Sequence, residues 1–533
     1  MRRFHSYGPV NCQHHFCVPR EALIRKCCET LIGDPGEGGH YFTLWAPRQT
    51  GKTWLMQQVK EHILKQYPRK FAVLSLSFGR LRGMRYSPTE ESGVSDLPRA
   101  FAELFQAKLP GHPELRTWQD FYGVFSKERE LWDRPLLLFI DEVDTVSATL
   151  VDLMVAQFRE LYLEQETNWL HGVALIGVRA VLGIESQRGS PFNIQRSFHV
   201  PAFTLEEVQE LYRQYQEESG QTITPAVVDQ VYHVTRGQPG LVSWFGELLT
   251  ETYNPGPPKA IDVPVWDDVY HRACHTEFNT TILNLITKAR TTYRPYVLEL
   301  FSRADVPFSL DVDWCNYLYL HGLIDTETSI TEAGQRVSVC RFASPFVQHR
   351  LYNALTYDLF EAHSPILALD PLDELADVLD GDELDVPALL RRYKDYLARL
   401  KAAGLNPWRE QPRRKTDLHL TEAVGHFHLY SWLQAAVGRR CVVTPEFPTG
   451  NGKVDIHVRC GGKRGIIEIK SFVDAYEAKR ARVQAAHYAN SLGLGTVSIA
   501  MFVPVEDETV LEKLAGDDVI HGVRVIVVTI GWT

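Results

Sequence analysis

The stretch GKVDIHVRCGGKRGIIEIKSF, Gly452 to Phe472, reads as two β-strands joined by the turn CGGKRG, and its second strand carries Glu468 and Lys470 inside an otherwise apolar run. Charges in a buried strand are costly unless something pairs with them. Period-two alternation puts Glu468 and Lys470 on one face with Ile467 and Ile469 on the other, and the hairpin can fold Asp455 of the first strand back toward Glu468. Two carboxylates and a lysine converging at one sheet edge make a poor structural design and a good site for a hard cation. Asp455, Glu468 and the Ile469 carbonyl offer the oxygen ligands that Mg²⁺ takes, with Mn²⁺ as an alternative. A water on such an ion becomes a nucleophile, and Lys470 is placed to orient it or to stabilise a pentacovalent phosphate. The structural alternative is an ordinary buried ion-pair network.

A second constellation stands in APRQTGKT, Ala46 to Thr53, between the apolar strand YFTLW and the helical TWLMQQVKEHILKQY. That context is the one a phosphate-binding loop needs. The loop residues Ala46, Pro47, Arg48, Gln49, Thr50 and Gly51 and the helix N-terminus would cradle the phosphates of ATP, Lys52 would neutralise β/γ charge, and Thr53 would reach Mg²⁺. Ala46 stands where the pattern GxxxxGK[ST] has its first glycine. Farther on, LLLFIDEVD ends a buried strand with Asp141, suited to a magnesium-linked carboxylate, and Glu142, suited to polarising an attacking water.

The chain that must position these groups has 533 residues, too many for one core, with 44% hydrophobic and 23% charged residues, as in ordinary globular proteins. The net charge of −10 speaks against nucleic-acid binding, but it is unevenly placed. Residues 358–390 hold ten Asp/Glu and no Lys/Arg, whereas residues 401–533 hold 17 Lys/Arg against 14 Asp/Glu. No run of eighteen apolar residues suggests a membrane span, and MRRFHSYGPVNCQHHF lacks the apolar core of a secretory signal, so a cytoplasmic protein with no membrane partner is expected. The nine cysteines are odd in number and scattered, which reads as reduced thiols. CQHHFC, Cys12 to Cys17, is either half a zinc site or none.

Apolar runs at 41–46, 71–78, 135–142, 173–178 and 198–203 alternate with helical patterns, predicting a parallel sheet covered on both faces. TLEEVQELYRQYQEE (204–218) opens with a capping box, Thr204 with Glu207, and helix continues to about residue 255. NPGPPKAIDVP (254–264) reads as a linker. Residues 290–357 follow the helix–helix–strand–hairpin order of a small winged-helix module, and the acidic segment with ALLRRYKDYLARLKAAG (388–404) bridges to the last domain.

VPREAL (18–23), APRQTGKT, FIDEVD, SPFNI (190–194), FTLEEV (203–208) and TRGQPGLVS (235–243) together resemble the AAA-like ATPases related to origin-recognition and STAND signalling proteins, over roughly residues 15–355. The resemblance implies an ATPase core, a helical lid whose turn Gly237 to Pro239 lies near the adenine, and nucleotide-controlled movement. VALIGV ends in Gly177 and Val178 where such ATPases commonly have a polar sensor, leaving Arg179 as a substitute; Arg188 and Arg196 read either as arginine fingers acting in trans or as surface residues. At the other end, Asp455 and Glu468-Ile469-Lys470 resemble the PD-(D/E)XK nuclease pattern, with Val454 in place of its proline. The resemblance spans about residues 405–505: LTEAVGHFHLYSWLQAAV (420–437) supplies Glu422 as the helix-borne acid, and QAAHY (484–488) supplies Gln484 of a QxxxY helix. Lys463, Arg464, Lys479, Arg480 and Arg482 read as phosphate contacts or as a solvated face. His426, His428 and His487 read as partly buried histidines without a role.

The expectation is therefore an α/β multidomain protein: an AAA-like P-loop ATPase core (1–200), a helical lid (201–255), a winged-helix domain (256–357), an acidic and helical linker (358–404) and a restriction-endonuclease-like PD-(D/E)XK domain (405–533). Its expected function is ATP-regulated, Mg²⁺-dependent hydrolysis of nucleic acid, DNA first, and the resemblance implies prokaryotic defence against phage or mobile DNA. The alternatives are a nucleic-acid-binding ATPase switch with a non-cutting nuclease-like domain, and a STAND-type signalling ATPase that forms a homo-oligomer on a protein trigger.

Overall fold

The computed structural model describes residues 1–533 except 34–37, 83–96, 178–194, 258, 302–305, 331–334, 360–367, 371–374, 380–383, 409–410, 412–421, 447–454, 473, 492 and 533, and except the side chains of 148, 195, 330, 357, 359, 446, 455, 475 and 491. Expectations on Val178, Arg179, Arg188, the SPFNI stretch and Val454 fall outside the described residues. Contacts divide the chain into two compact units, Met1–Glu277 with Leu320–Gly322, and Phe278–Tyr319 with Leu323–Thr533.

In the first unit, strands β1 (Tyr41–Trp45), β2 (Ala72–Ser77), β3 (Leu136–Asp141), β4 (Leu170–Gly177) and β5 (Gln195–His199) form a parallel sheet in the order β2-β3-β4-β1-β5. Runs such as LLLFI are apolar on both faces because both faces are covered. On one side, helices Glu21–Ile32 and Lys52–Gln66 bring Leu31, Leu55, Val59 and Ile63 against Phe42, Leu44 and Ile176. On the other, Phe101, Phe105, Phe121 and Phe158 pack onto Leu138 and Ile140. The first four strands lie where the apolar runs place them. β5 ends at His199, earlier than the apolar run at 198–203, because its partner β1 ends at Trp45 and turns into the loop, and Pro201 has no N–H to continue a ladder.

Thr204 and Glu207 form the expected capping box, exchanging bonds of 3.2 and 2.9 Å at the start of helix Leu205–Ser219. Helices Pro225–Thr235, Pro239–Glu247 and Val263–His275 follow. Part of the expected linker is built in: Ile261 bridges to Ile223, and the Asp262 carboxylate accepts the Val265 N–H to cap the next helix.

The second unit holds helices Thr280–Ala289, Arg294–Leu300 and Asp313–Leu320, the antiparallel hairpin β6 (Ile324–Ile330) and β7 (Arg336–Phe342), and helix Pro345–Leu359. A six-stranded sheet follows, from β8 (Val442–Glu446), β9 (Asp455–Cys460), β10 (Lys463–Ser471), β11 (Thr496–Val503), β12 (Gly516–Ile520) and β13 (Val523–Gly531), in the order β12-β13-β11-β10-β9-β8. β8, β9 and β10 pair antiparallel; β10, β11 and β13 run parallel. Helix Ala475–Ser491 covers one face, where Ala485, Ala486 and Ala489 meet Ile466, Ile499 and Met501. Phe502 points the opposite way, toward Gly425 of helix Glu422–Val437 and Tyr393 of helix Val386–Ala402. That last helix was expected in the linker, yet Tyr393 packs on His428, Trp432 and Phe502 and is fully buried.

The reduced-thiol expectation is corrected at two places. Cys12 is bonded to Cys17 and Cys441 to Cys460. The second pair follows from register: Val442 opposes Arg459, so the preceding and following cysteines face each other, with Cα atoms 4.4 Å apart. The disulfide in CQHHFC also removes its two thiolates as zinc ligands. The other five cysteines are buried and form no disulfide. Among the described residues, no helix is long and apolar enough to cross a membrane.

Gly425 allows the close approach that carries Glu422 to the sheet, since a Cβ there would come within 2.7 Å of the Phe502 ring. Gly425→Val should destabilise the protein by about 1–3 kcal/mol, because the ring sits in a filled core. A denaturant titration measures this; an unchanged midpoint would contradict the packing.

Candidate functional site

The phosphate loop begins where β1 leaves the sheet. Gln49 and Gly51 both have positive φ, 58° and 84°. A Cβ at Gly51 would meet nothing within 4 Å, so backbone conformation and not space selects glycine there. The Lys52 ammonium lies inside the loop and donates to the carbonyl oxygens of Ala46 and Pro47 at 2.8 and 2.7 Å. Burial pushes its pKa down to about 8, against the pull of Asp144 and Asp141. A desolvated cation held only by loop carbonyls is a ready partner for phosphate oxygens. Thr53 donates to the Asp141 carboxylate at 2.7 Å, which puts a hydroxyl and a carboxylate side by side, the hard oxygens that fit Mg²⁺.

Glu142 follows Asp141 with φ 58°, its N–H donating to Asp141 Oδ1 at 2.8 Å. Its own carboxylate accepts from Ser77, at the end of β2, at 2.7 Å, and Gly79 leaves it room. Ser77 and Gly79 carried no sequence signal. Asp144 did, as the last acid of FIDEVD, but its part was missed: it is the largest charge acting on Lys52, and it lies against Gly177, where a side chain would collide with it. Arg196 lies exposed on β5.

The start of helix Pro239–Glu247 docks on the loop. Gln238 caps helix Pro239–Glu247 with its carbonyl oxygen, 2.5 Å from the Leu241 N–H, while its amide nitrogen donates to Arg48 O at 3.1 Å and Gln49 O at 3.4 Å. Gly240 N–H donates to Gln49 O at 3.0 Å. Pro239 lines a recess of ≈ 720 Å³ together with Gln49, Thr50 and Gly51. The N-terminal residues supply its other wall, a part the sequence did not announce. Phe4 is buried against Tyr212 and Tyr215, Ser6 binds Glu247 through both N–H and hydroxyl at 2.7 and 2.6 Å, and His5 and Phe16 line the recess.

In the second unit, Glu468 and Lys470 are 3% and 5% exposed, and Lys470 Nζ lies 2.5 Å from Glu468 Oε1. They extend the stripe of Ile466, on the face covered by helix Ala475–Ser491. A recess of ≈ 670 Å³ opens beside Lys470, and Glu422 and Gln484 line it, so three expected residues from a strand and two helices meet there. Glu468 reaches the recess only through Lys470. Asp455 heads β9 with its backbone opposite Glu468 in the ladder; its side chain lies outside the described residues. Among the described residues no group of three or more His, Cys, Asp and Glu could hold a metal. The donors present, the Glu468 carboxylate and the Ile469 carbonyl, are of the oxygen class Mg²⁺ takes.

Of the basic residues considered for phosphate, Lys463 donates to Leu379 O, and Arg482 to Asp518 and Leu514 O, so both serve the fold. Arg480 lines the recess, as does Glu477, which sequence reasoning passed over. The histidines are structural: His426 bonds Tyr352, His428 bonds Tyr393 at 2.5 Å with burial pushing its pKa down to about 3, and His487 packs on His521.

Gln238→Glu keeps the capping oxygen and sets a carboxylate against two loop carbonyls. Affinity for a fluorescent ATP analogue should fall about tenfold, the cost of an unmade hydrogen bond to a buried acceptor. An unchanged affinity would show that the lid does not support the loop.

No protein-family model matches the chain, and no curated protein matches it. Among solved structures the chain is similar to the Walker-type ATPase PABY2304 of Pyrococcus abyssi, at 15% identity over 65% of this chain and 99% of that one, with a TM-score of 0.41. It is also similar to the Thermotoga maritima RuvB Holliday junction branch migration motor (15% identity, 65% and 96% covered, TM-score 0.33) and to the Aeropyrum pernix Orc1 protein solved in complex with DNA (14%, 65% and 94%, 0.31). Likeness at this level says nothing of activity. What the first unit itself shows is a parallel five-stranded sheet in the order β2-β3-β4-β1-β5, with the glycine-containing loop directly after β1 and the acids Asp141 and Glu142 at the end of β3.

Proposed function

We propose that this protein is an ATP-regulated, divalent-cation-dependent nuclease that hydrolyses nucleic-acid phosphodiesters, with DNA as its substrate. The observation that carries the reading is that Lys470, Glu422 and Gln484, from three separate elements, line one recess, with Glu468 held against Lys470 at 2.5 Å. Glu468, Asp455 and the Ile469 carbonyl would hold Mg²⁺ or Mn²⁺, which when bound supplies Lewis acidity and lowers the pKa of a coordinated water. Lys470 sets a positive charge where the phosphate oxygens gain charge during attack, and Gln484 offers amide hydrogen bonds that orient the strand. Glu422 adds an acceptor at the rim.

In the first unit, Lys52 and the loop would bind the β- and γ-phosphates of ATP, Thr53 and Asp141 would hold Mg²⁺, and Glu142 would orient water for hydrolysis. Ser77 donates to one oxygen of the Glu142 carboxylate and leaves acceptor sites for a water; the reading taken is a slow, switch-like ATPase rather than a motor. A homo-oligomer or a protein trigger fits the same reading as the means by which the switch is read. The rival reading, a switch whose nuclease-like domain grips DNA without cutting, gives the Glu468–Lys470 pair a purely structural role.

Plasmid, single-stranded DNA and RNA are incubated with Mg²⁺, with and without ATP. Wild type should cut; Lys470→Ala should lose at least about 100-fold in rate; EDTA should abolish cutting. Lys52→Ala should cut without responding to ATP. Equal cutting by wild type and Lys470→Ala would remove Lys470 from the chemistry, and no cutting at all by wild type would favour the gripping switch.

A further inference from the structure

Along the helix that lines the recess beside Lys470, the hydrolytic reading uses Gln484 and leaves the first turns unused. Tyr476, in the first turn of helix Ala475–Ser491, is 75% exposed. Arg480 lies four residues on and Gln484 four beyond that, and both line the recess. Positions i and i+4 are neighbours on one helix face, about 6 Å apart along the axis. An exposed aromatic ring thus stands one turn before a guanidinium and two turns before an amide, both of which line the recess with Lys470.

Charge alone does not explain this arrangement. Glu477 lines the recess together with Arg480, and the whole chain carries −10, so long-range attraction for a polyanion is weak. A large exposed ring one helical turn from an arginine suits a ligand with both a flat face and a phosphate, which is a nucleotide with its base unstacked. In a duplex the base faces are stacked inside the helix and out of reach of a surface tyrosine.

We propose that the first turns of this helix bind an unpaired DNA strand, with Tyr476 stacking on a base and Arg480 holding a phosphate next to it, so that single-stranded DNA is the substrate led into the recess. The inference deepens the nuclease reading by naming its substrate class. The binding half of it stands without catalysis: Tyr476 and Arg480 are positioning residues for the strand, and Lys470 remains the reacting centre.

The test is fluorescence anisotropy on the full chain with a short labelled single-stranded DNA and the matching duplex, in Ca²⁺ so that cutting is not required, alongside cleavage in Mg²⁺. Wild type should bind the single strand at least about tenfold more tightly than the duplex, and Tyr476→Ala should lose about tenfold on the single strand only, with Tyr476→Phe close to wild type. Arg480→Ala should reduce the slope of log affinity against log salt by about 0.7, one phosphate contact on a single strand. Equal affinity for the two DNAs, or a Tyr476→Ala protein that binds as wild type does, overturns the proposal even where cutting persists. Tyr476-dependent binding by a wild type that never cuts upholds it and overturns the nuclease reading instead.

Discussion

The buried ion pair of Glu468 and Lys470 sets the terms for the second unit. Each charge alone would be costly to bury; together, at 2.5 Å, the two offset part of that cost. Removing one partner leaves the other uncompensated, a loss of about 3–5 kcal/mol in comparable buried pairs. The pair cannot relax outward, because β10 is flanked by β9 and β11 and its residues from Gly465 to Ser471 are buried. The strand therefore presents a fixed cation at the end of an apolar stripe, and the two helices that bring Glu422 and Gln484 are positioned by packing on the same sheet.

The first unit uses a related device with different partners. Lys52 is also a desolvated ammonium beside an open recess, but it is held by two carbonyls, with Asp141 and Asp144 acting through space. In both places the protein keeps a positive charge dry before any ligand arrives. Such preorganisation lowers the reorganisation that binding or reaction would otherwise require. The difference lies in the neutralising group: neutral carbonyls leave the Lys52 charge available to an anion, whereas the carboxylate partner of Lys470 is itself a candidate cation ligand.

Helix Pro239–Glu247 and the loop are joined by polar contacts. Gln238 serves both sides, capping its own helix and bonding the loop carbonyls, so the start of the lid helix and the loop conformation are coupled through one side chain. The N-terminal residues add a second tie, with Phe4 buried in the helical layer and Ser6 bound to Glu247. A nucleotide entering this recess would touch loop, lid and N-terminal wall together, which is how binding energy at one site becomes a bias on a larger element.

The sequence by itself determined the parallel sheet of the first unit, the phosphate loop, the capping box at Thr204 and the placing of Glu468 and Lys470 on one strand face. Each of these rests on local rules: apolar runs, short motifs with their flanking elements, and the two-residue period of a strand. It could not determine the partners that lie far apart in the chain. Ser77 on Glu142, Asp144 near Lys52, the Cys441–Cys460 bond and the wall made by Phe4 and Ser6 depend on strand order, register and helix docking, over separations that run from 19 residues in the disulfide to 241 between Ser6 and Glu247. The same applies to the helix Val386–Ala402, which its acidic upstream neighbours made look like a tether and which Tyr393 and Phe502 draw into the core. Local pattern specifies what a residue can do; only the folded sheet decides which groups share a cavity, because burial and ion pairing are properties of a neighbourhood that the linear chain does not contain.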